Sequence, residues 1–338
     1  MLHGIARAAA GLVLAAIVGC GETAKEGPAV PAKVAKKGIS MTMGLMPRLV
    51  GTSYADACKR GAEEAGRELG VKVVFDGPTE ADVSKQSEIL DSWIDQRMDA
   101  IAVAPSEPHA LAPTLRKAMR RDIKVLTWDA DSDADSREAF VNPATYQGIG
   151  FALVDAMAAE MGGKGDVAAL TGTPATTTQK LWIEEMRKRI TATCPGMNIA
   201  TVDAMGEDHA SAYQMVKAML KERSDLRGIV GLTPVALIAA AKAVFDSDRA
   251  GKVAVTGIAT PNEAVRFIKN GAVKTVVMWN AVDLGYLAVH VARKLFDEGQ
   301  LPEEFEAGRL GRIRRAASHV LLGPPMRITR ENIDKFDF

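Results

Sequence analysis

From Ile39 onward, short apolar runs alternate with longer amphipathic ones, and this alternation limits the fold more than any single motif. Strand-like runs occupy residues 39–46, 71–75, 100–104 and 123–128, with helical patterns at 54–69, 83–96 and 111–121 between them. Regular β-α alternation with short breaks predicts a parallel sheet covered by helices on both faces. After Phe140-Val141-Asn142 the pattern restarts, with strand-like runs at 166–171, 199–202, 228–232, 253–258 and 274–279. Helical patterns at 147–161, 178–191, 210–221, 235–245 and 262–269 separate those runs. Two similar α/β halves without a recognisable sequence repeat predict two domains facing one another across a cleft, a preferred place for a ligand.

The run I-K-V-L-T-W-D-A-D at 123–131 shows where such a ligand would sit. Ile123, Val125, Leu126 and Thr127 suit a buried parallel strand, which ends in Trp128, Asp129 and Asp131. In open α/β sheets ligands bind beyond the carboxyl ends of the strands, so these carboxylates are candidate acceptors. The other reading of the same residues is a solvated turn, which Asp often begins. Polar or aromatic residues recur just past the other strands. Met46-Pro47-Arg48 is followed by Tyr54, Pro105-Ser106 follows the third strand, and Thr171-Gly172-Thr173 leads to Thr178-Gln179 and Trp182. Thr233-Pro234, Thr260-Pro261-Asn262 and Trp279-Asn280 complete the set. Carboxylate and guanidinium groups bond sugar hydroxyls strongly, and aromatic faces cover the apolar C–H faces of a sugar ring. Thr, Pro and Asn are ordinary loop residues, and Trp182 could equally be core; the repetition is what points to a ligand cleft.

Several function classes fall away. Lys plus Arg and Asp plus Glu both number 42, and no dense basic patch exists, so nucleic acid is not an expected partner. His3, His109, His209, His290 and His319 are scattered without ligand spacing, which argues against a metal. Cys58 and Cys194 fall in different halves and read as isolated thiols. Gly148-Ile149-Gly150 lacks the third glycine of a dinucleotide loop, since position 153 is Leu, and Gly162-Gly163-Lys164-Gly165 reads as a helix cap and turn. Arg309, Arg312, Arg314 and Arg315 have no interleaved aromatics and read as a solvated or interdomain surface. Asp129 and Asp131 are too close in sequence to bracket a sugar from opposite faces as a glycosidase pair does. Neither a catalytic motif nor a cofactor loop remains, so the expected protein is not an enzyme.

The first residues read as an export signal. Residues 1–7 carry one positive charge, 8–18 are apolar without interruption, and Ile17-Val18-Gly19-Cys20 follows. The apolar run is too short to span a bilayer as a stable helix. This ending resembles a bacterial lipobox, with Ile in place of the usual Leu, and the resemblance implies cleavage before Cys20 and lipid on its sulfur. Residues 20–38, rich in Lys, Ala, Pro and Gly, read as a flexible tether.

Nearly the whole mature chain resembles the type I periplasmic sugar-binding proteins of ABC importers, and most of all their autoinducer-2-binding and rhamnose-binding branch. The stretches that carry the resemblance are M-P-R-L-V-G at 46–51, E-L-G-V-K-V-V-F-D-G-P-T-E at 68–80, V-L-T-W-D-A-D at 125–131, T-P-N-E-A-V at 260–265 and E-N-I-D-K-F-D-F at 331–338. The resemblance implies two Rossmann-like lobes joined by a three-segment hinge, with crossings near Asn142, near Asn280 and around 310–320. The first lobe would hold 39–142 and 280–318, including a helix at 282–296; the second would hold 143–279 and 319–338. Arg48 stands where autoinducer-2 binders carry Lys, and their Asp after T-W matches Asp129 or Asp131. Their Asp-Gln pair is Thr178-Gln179 here, and their Pro-x-Ala stretch is Leu232-Thr233-Pro234. These changes favour a pentose or deoxyhexose as ligand, with autoinducer-2 or a related furanose second. The expected binding set is Arg48, Tyr54, Asp129, Asp131, Thr178, Gln179, Trp182, Thr233, Trp279 and Asn280. The expected protein is a monomer, lipid-anchored in the periplasm or at the cell surface. It would close on its sugar and present it to an inner-membrane permease, or report it to a membrane receptor.

Overall fold

The computed structural model describes residues 40–80, 82–172 and 177–338, all within a compact unit that spans Ala35–Phe338. The leader, the tether, Cys20 and Thr173 lie outside the described residues.

The first run of elements is β1 (Met41–Met46), α1 (Ser53–Leu69), β2 (Val71–Phe75), α2 (Val83–Asp95), β3 (Ala100–Val103), α3 (Pro108–Met119), β4 (Lys124–Trp128) and β5 (Ala139–Asn142). A second follows: α4 (Tyr146–Met161), β6 (Lys164–Thr171), α5 (Thr177–Thr193), β7 (Gly196–Ala204), α6 (His209–Glu222), β8 (Leu226–Gly231), α7 (Pro234–Phe245), β9 (Ala254–Ile258), α8 (Pro261–Lys269) and β10 (Thr275–Met278). The chain ends with α9 (Ala281–Glu298), β11 (Glu304–Glu306), β12 (Arg312–Ala316), β13 (His319–Leu321) and β14 (Met326–Thr329).

These strands form two sheets. The first has the order β11-β12-β13-β5-β4-β3-β1-β2 and the second β14-β10-β9-β8-β6-β7. The central strands of both are parallel, while β11, β12 and β14 run antiparallel to their neighbours. Each sheet reads 2-1-3-4-5 in its own chain order, the doubly wound arrangement in which successive connections diverge at one place. That switch point lies between β1 and β3 in the first sheet and between β6 and β8 in the second. Loops leaving the carboxyl ends there turn to opposite faces and open a crevice.

Local chemistry sets the element ends. The Thr52 hydroxyl accepts from the Ala55 N–H at the start of α1, and Gly70 ends that helix in the left-handed region at φ 66°. Thr260 and Glu263 form a reciprocal capping box on α8, with Pro261 at its first position. Gly162 caps α4 in the same left-handed way at φ 68°, so the 162–165 glycines are a helix end and turn.

The chain passes between the sheets three times. It leaves the first sheet after β5, leaves the second after β10, and leaves the first again after β13. After β10, α9 returns to pack on α1 at a distance only glycine permits. A Cβ on Gly61 would lie 1.8 Å from the Val282 carbonyl oxygen, and one on Gly285 would lie 2.0 Å from that of Cys58. The third passage falls later than the expected 310–320. β13 pairs in parallel with β5, His319 opposite Phe140, so the first sheet runs past the expected boundary at 318 to Leu321. Only Val320 of that strand is buried, too weak an apolar signal to read in the sequence.

Candidate functional site

The strand ends bring five of the ten expected residues together: Arg48, Tyr54, Asp129, Trp182 and Trp279. β4 is buried down to Trp128, whose indole Nε1–H donates to the Met46 carbonyl at the end of β1, 3.0 Å away. The backbone then reverses. Asp129 adopts φ 63°, a left-handed conformation that Asp tolerates, and its N–H donates to the Val141 carbonyl. This turn carries the Asp129 carboxylate off the carboxyl end of the sheet.

The Tyr54 hydroxyl, from the first turn of α1, donates to Asp129 Oδ1 at 2.7 Å. It accepts in turn from Trp279 Nε1 at 2.9 Å, just past β10 of the second sheet. The two rings meet edge to face, with centroids 6.2 Å apart and planes at 87°. Trp182 on α5 extends the aromatic array, its centroid 6.4 Å from that of Trp279. Asp129, Tyr54, Trp279 and Trp182 thus form a continuous chain from one sheet to the other.

Burial pushes the Asp129 carboxyl above its ordinary value, opposed by the hydrogen bond from Tyr54 and by the positive charge of Arg48. Burial, and then the Asp129 charge, push the Tyr54 hydroxyl well above its usual range, so it stays protonated and can donate. The same two causes, in the same order, raise the Cys58 thiol beneath it, which is a buried free cysteine and not a nucleophile. Arg48 is exposed on the loop after β1, its charge within reach of Asp129.

Four expected residues have other structural tasks. Asp131 is held by both arms of Arg137, at 2.5 Å from Nε and 2.6 Å from the terminal nitrogen, and also accepts from the Thr127 hydroxyl and the Ser132 N–H. Arg137 is 5% exposed and donates also to the Ser318 hydroxyl, so Asp131 ties the loop after β4 to the approach of β13. Its two carboxylate oxygens thus accept four hydrogen bonds from Thr127, Ser132 and Arg137. Thr233 caps α7 by accepting from the Ala236 N–H. Asn280 caps α9 by accepting from the N–H groups of Val282 and Asp283. Gln179 Oε1 accepts from the Gly172 N–H at 3.3 Å and ties α5 to the end of β6. Thr178 is half-buried in the first turn of α5.

Arg137 was not among the expected residues, because an Arg in a polar loop carries no sequence signal of its buried carboxylate partner. The basic cluster near the end is neutralised: Arg309 pairs with Glu64 and Asp283, Arg312 with Glu306, and Arg314 with Glu304. Arg315 donates to the carbonyls of Leu301, Pro302 and Ala317. Gly150, the second glycine of Gly148-Ile149-Gly150, serves helix packing, since a Cβ there would lie 2.9 Å from the Trp182 carbonyl. Among the described residues no group of three His, Cys, Asp or Glu could hold a metal ion, and no helix is long and apolar enough to cross a membrane.

Residues 43–300 match the family model of the periplasmic binding protein domain. The chain belongs to this family, and its two doubly wound sheets are the family's type I fold. A crystal structure of a sugar ABC transporter from Actinomyces odontolyticus is 31% identical, with a TM-score of 0.79 over 88% of this chain and 98% of that one. An ABC transporter solute-binding protein from Clostridium phytofermentas, solved with bound L-rhamnose, is 27% identical at a TM-score of 0.78, covering 90% of this chain and 98% of that one. The D-ribose/D-allose-binding protein of Pseudomonas aeruginosa is 27% identical over 236 residues, 68% of this chain and 72% of that protein. Proteins of this family bind and deliver solutes and catalyse no reaction.

Proposed function

We propose that the chain is the extracytoplasmic substrate-binding lipoprotein of an ABC importer, and that it captures a pentose or deoxyhexose between its lobes by closing about the three crossings. The observation that carries the proposal is the Tyr54 hydroxyl, bonded at once to Asp129 of the first lobe and Trp279 at the edge of the second. A sugar offers hydroxyls around its rim and C–H groups on its faces. Asp129 would accept from adjacent hydroxyls through the oxygen that Tyr54 does not engage, and Arg48 would donate to the ring edge. Trp182 and Trp279 would cover an apolar face. The ligand stabilises the closed form because only that form engages both lobes at once, and its differential affinity sets how far the equilibrium moves. The family supports solute capture, and the rhamnose and ribose/allose ligands of the relatives support a small neutral sugar. Cys20, directly after Val18-Gly19, supports a lipid anchor that would keep the protein beside its permease.

A second reading, a furanosyl autoinducer as ligand, is favoured by the presence of Asp129 and Gln179 at positions that match the autoinducer-2 binders. The exchange of their Lys for Arg48 and of their second-lobe Asp for Thr178 weighs against it, because a site built for particular hydroxyls loses several kcal/mol when one partner goes missing. A thermal-shift screen against pentoses, deoxyhexoses, hexoses and the furanosyl autoinducer tests both. Ligand at about a thousand times its Kd adds roughly 4 kcal/mol of stability. A shift with pentoses or deoxyhexoses alone supports the first reading, a shift with the autoinducer alone supports the second, and a flat screen contradicts both.

A further inference from the structure

The switch point of the first sheet is spanned by one buried side chain. Gln86 sits in the first turn of α2 and is fully buried. Its Nε2 donates to the Ala104 carbonyl at 3.0 Å and, more weakly, to the Pro47 carbonyl at 3.5 Å. Its Oε1 accepts from the Ser106 N–H at 2.9 Å. Pro47 is the first residue past β1, and Ala104 and Ser106 follow β3. The β1–β3 ladder has its last rung where the Ala104 N–H meets the Met46 carbonyl, and beyond it the two chains diverge. Backbone groups buried past that rung have no strand partner and must find another. An amide with two donors and an acceptor can meet both carbonyls and the N–H at once, which neither a hydroxyl with its single donor nor an apolar side chain can do.

We propose that Gln86 is a positioning residue for the ligand site, holding the Pro47 turn so that Arg48 faces Asp129. Two further contacts converge on that turn, and past the Ala104–Met46 rung Gln86 is the side chain that ties it to the β3 side. The Trp128 indole donates to the Met46 carbonyl, and the Val50 N–H donates to the Pro78 carbonyl at 2.9 Å. Arg48 is the first residue past this clamp. Among the described residues its exposed side chain takes part in no hydrogen bond or ion pair and feels the charge of Asp129, so the direction of its backbone decides where the guanidinium points. A site of this kind loses affinity when its support shifts even though every contacting side chain is present.

The inference rests on the cleft being the sugar site, and the test separates the two. Gln86→Met keeps length and bulk and removes both hydrogen-bonding functions; Gln86→Asn keeps the amide but draws it back by one methylene. The full protein and these variants are titrated calorimetrically with L-rhamnose and D-ribose, alone and with Arg48→Ala. The expected result is a Kd raised at least tenfold by Gln86→Met. With Arg48→Ala already present, the same substitution should raise Kd less than threefold, because the two act as one unit. Gln86→Asn should lie between Gln86→Met and the parent, and it replaces Gln86→Met in the cycle if that variant does not fold. An unchanged Kd, or equal losses in both backgrounds, would overturn the proposal, since a merely structural amide lowers the melting temperature and leaves the affinity of the folded protein alone. If the parent binds neither of these two sugars, hydrogen exchange decides the role of Gln86. Exchange at least tenfold faster at Val50 with unchanged β4 amides supports it, and unchanged exchange at Val50 overturns it.

Discussion

The Tyr54 hydroxyl lies 2.7 Å from Asp129 Oδ1 and binds one oxygen of a carboxylate that burial would otherwise leave poorly solvated. Because Tyr54 also accepts from Trp279, that one bond couples the first strand-end crevice to the residue leading out of the second sheet. Tyr54→Phe removes the hydroxyl and leaves Asp129 and the indole N–H without it. A buried group left unsatisfied costs about 1–3 kcal/mol, so both stability and sugar affinity should fall. Chemical denaturation and calorimetric titration of the same variant measure the two losses. Unchanged affinity would remove Tyr54 from the site.

Asp129 and Asp131 should part company on substitution. Asp131→Asn breaks the charge balance of the buried Arg137, and removing one partner of a buried ion pair costs about 3–5 kcal/mol. The Asp131 carboxylate is about a quarter exposed, which places the expected loss at or below the lower end of that range. Sugar affinity well below the melting temperature should stay within about threefold of the parent, a change of well under 1.4 kcal/mol. A loss of affinity as large as that of an Asp129 variant would return Asp131 to the ligand set.

Much of this arrangement is legible in the sequence, and the exceptions share a cause. Strands β1, β3 and β4 are buried along nearly their whole length and stand out as apolar runs. The short strands β11 and β13 each bury a single residue, Phe305 and Val320, and leave no such trace. Asp129, Tyr54, Trp182 and Trp279, which the structure brings into contact, stand out in the sequence because chemistry placed at or beyond a strand end is conspicuous. Thr233 and Asn280 occupy the same kind of position for a different reason, since helices begin there too and need caps. The tasks of Gln86 and Arg137 depend on partners between 6 and 181 residues distant in the chain, which no local pattern reveals.

Glu160 gives the protein a pH signature away from the cleft. Burial raises its carboxyl from 4.5 to about 7, against the pull of Lys274. An acid whose folded pKa is raised binds more protons folded than unfolded, so its contribution falls as pH rises from the unfolded value of about 4.5 through 7. Glu160→Gln cannot ionise and should escape that loss. Its melting temperature relative to the parent should climb between pH 4.5 and pH 7 and then level off. A difference independent of pH would mean that folding does not raise the Glu160 carboxyl above its ordinary value.

The contact between α1 and α9 should tolerate no side chain. Gly285→Ala places a methyl group 2.0 Å from the Cys58 carbonyl oxygen, which forces the helices apart. Overpacking of this kind costs about 1–3 kcal/mol and sometimes more. A denaturation midpoint equal to that of the parent would contradict the close packing that returns α9 to the first lobe.

The central claim is that Asp129 anchors a small sugar between the two lobes, and calorimetric titration of Asp129→Asn beside the parent tests it most directly. Asn tolerates the left-handed backbone at φ 63°, so the variant should fold while losing the negative charge. The account predicts saturable binding of a pentose or deoxyhexose by the parent, and at least a hundredfold weaker binding by the variant at nearly unchanged melting temperature. Equal affinity in the two proteins would place the sugar elsewhere and contradict the account.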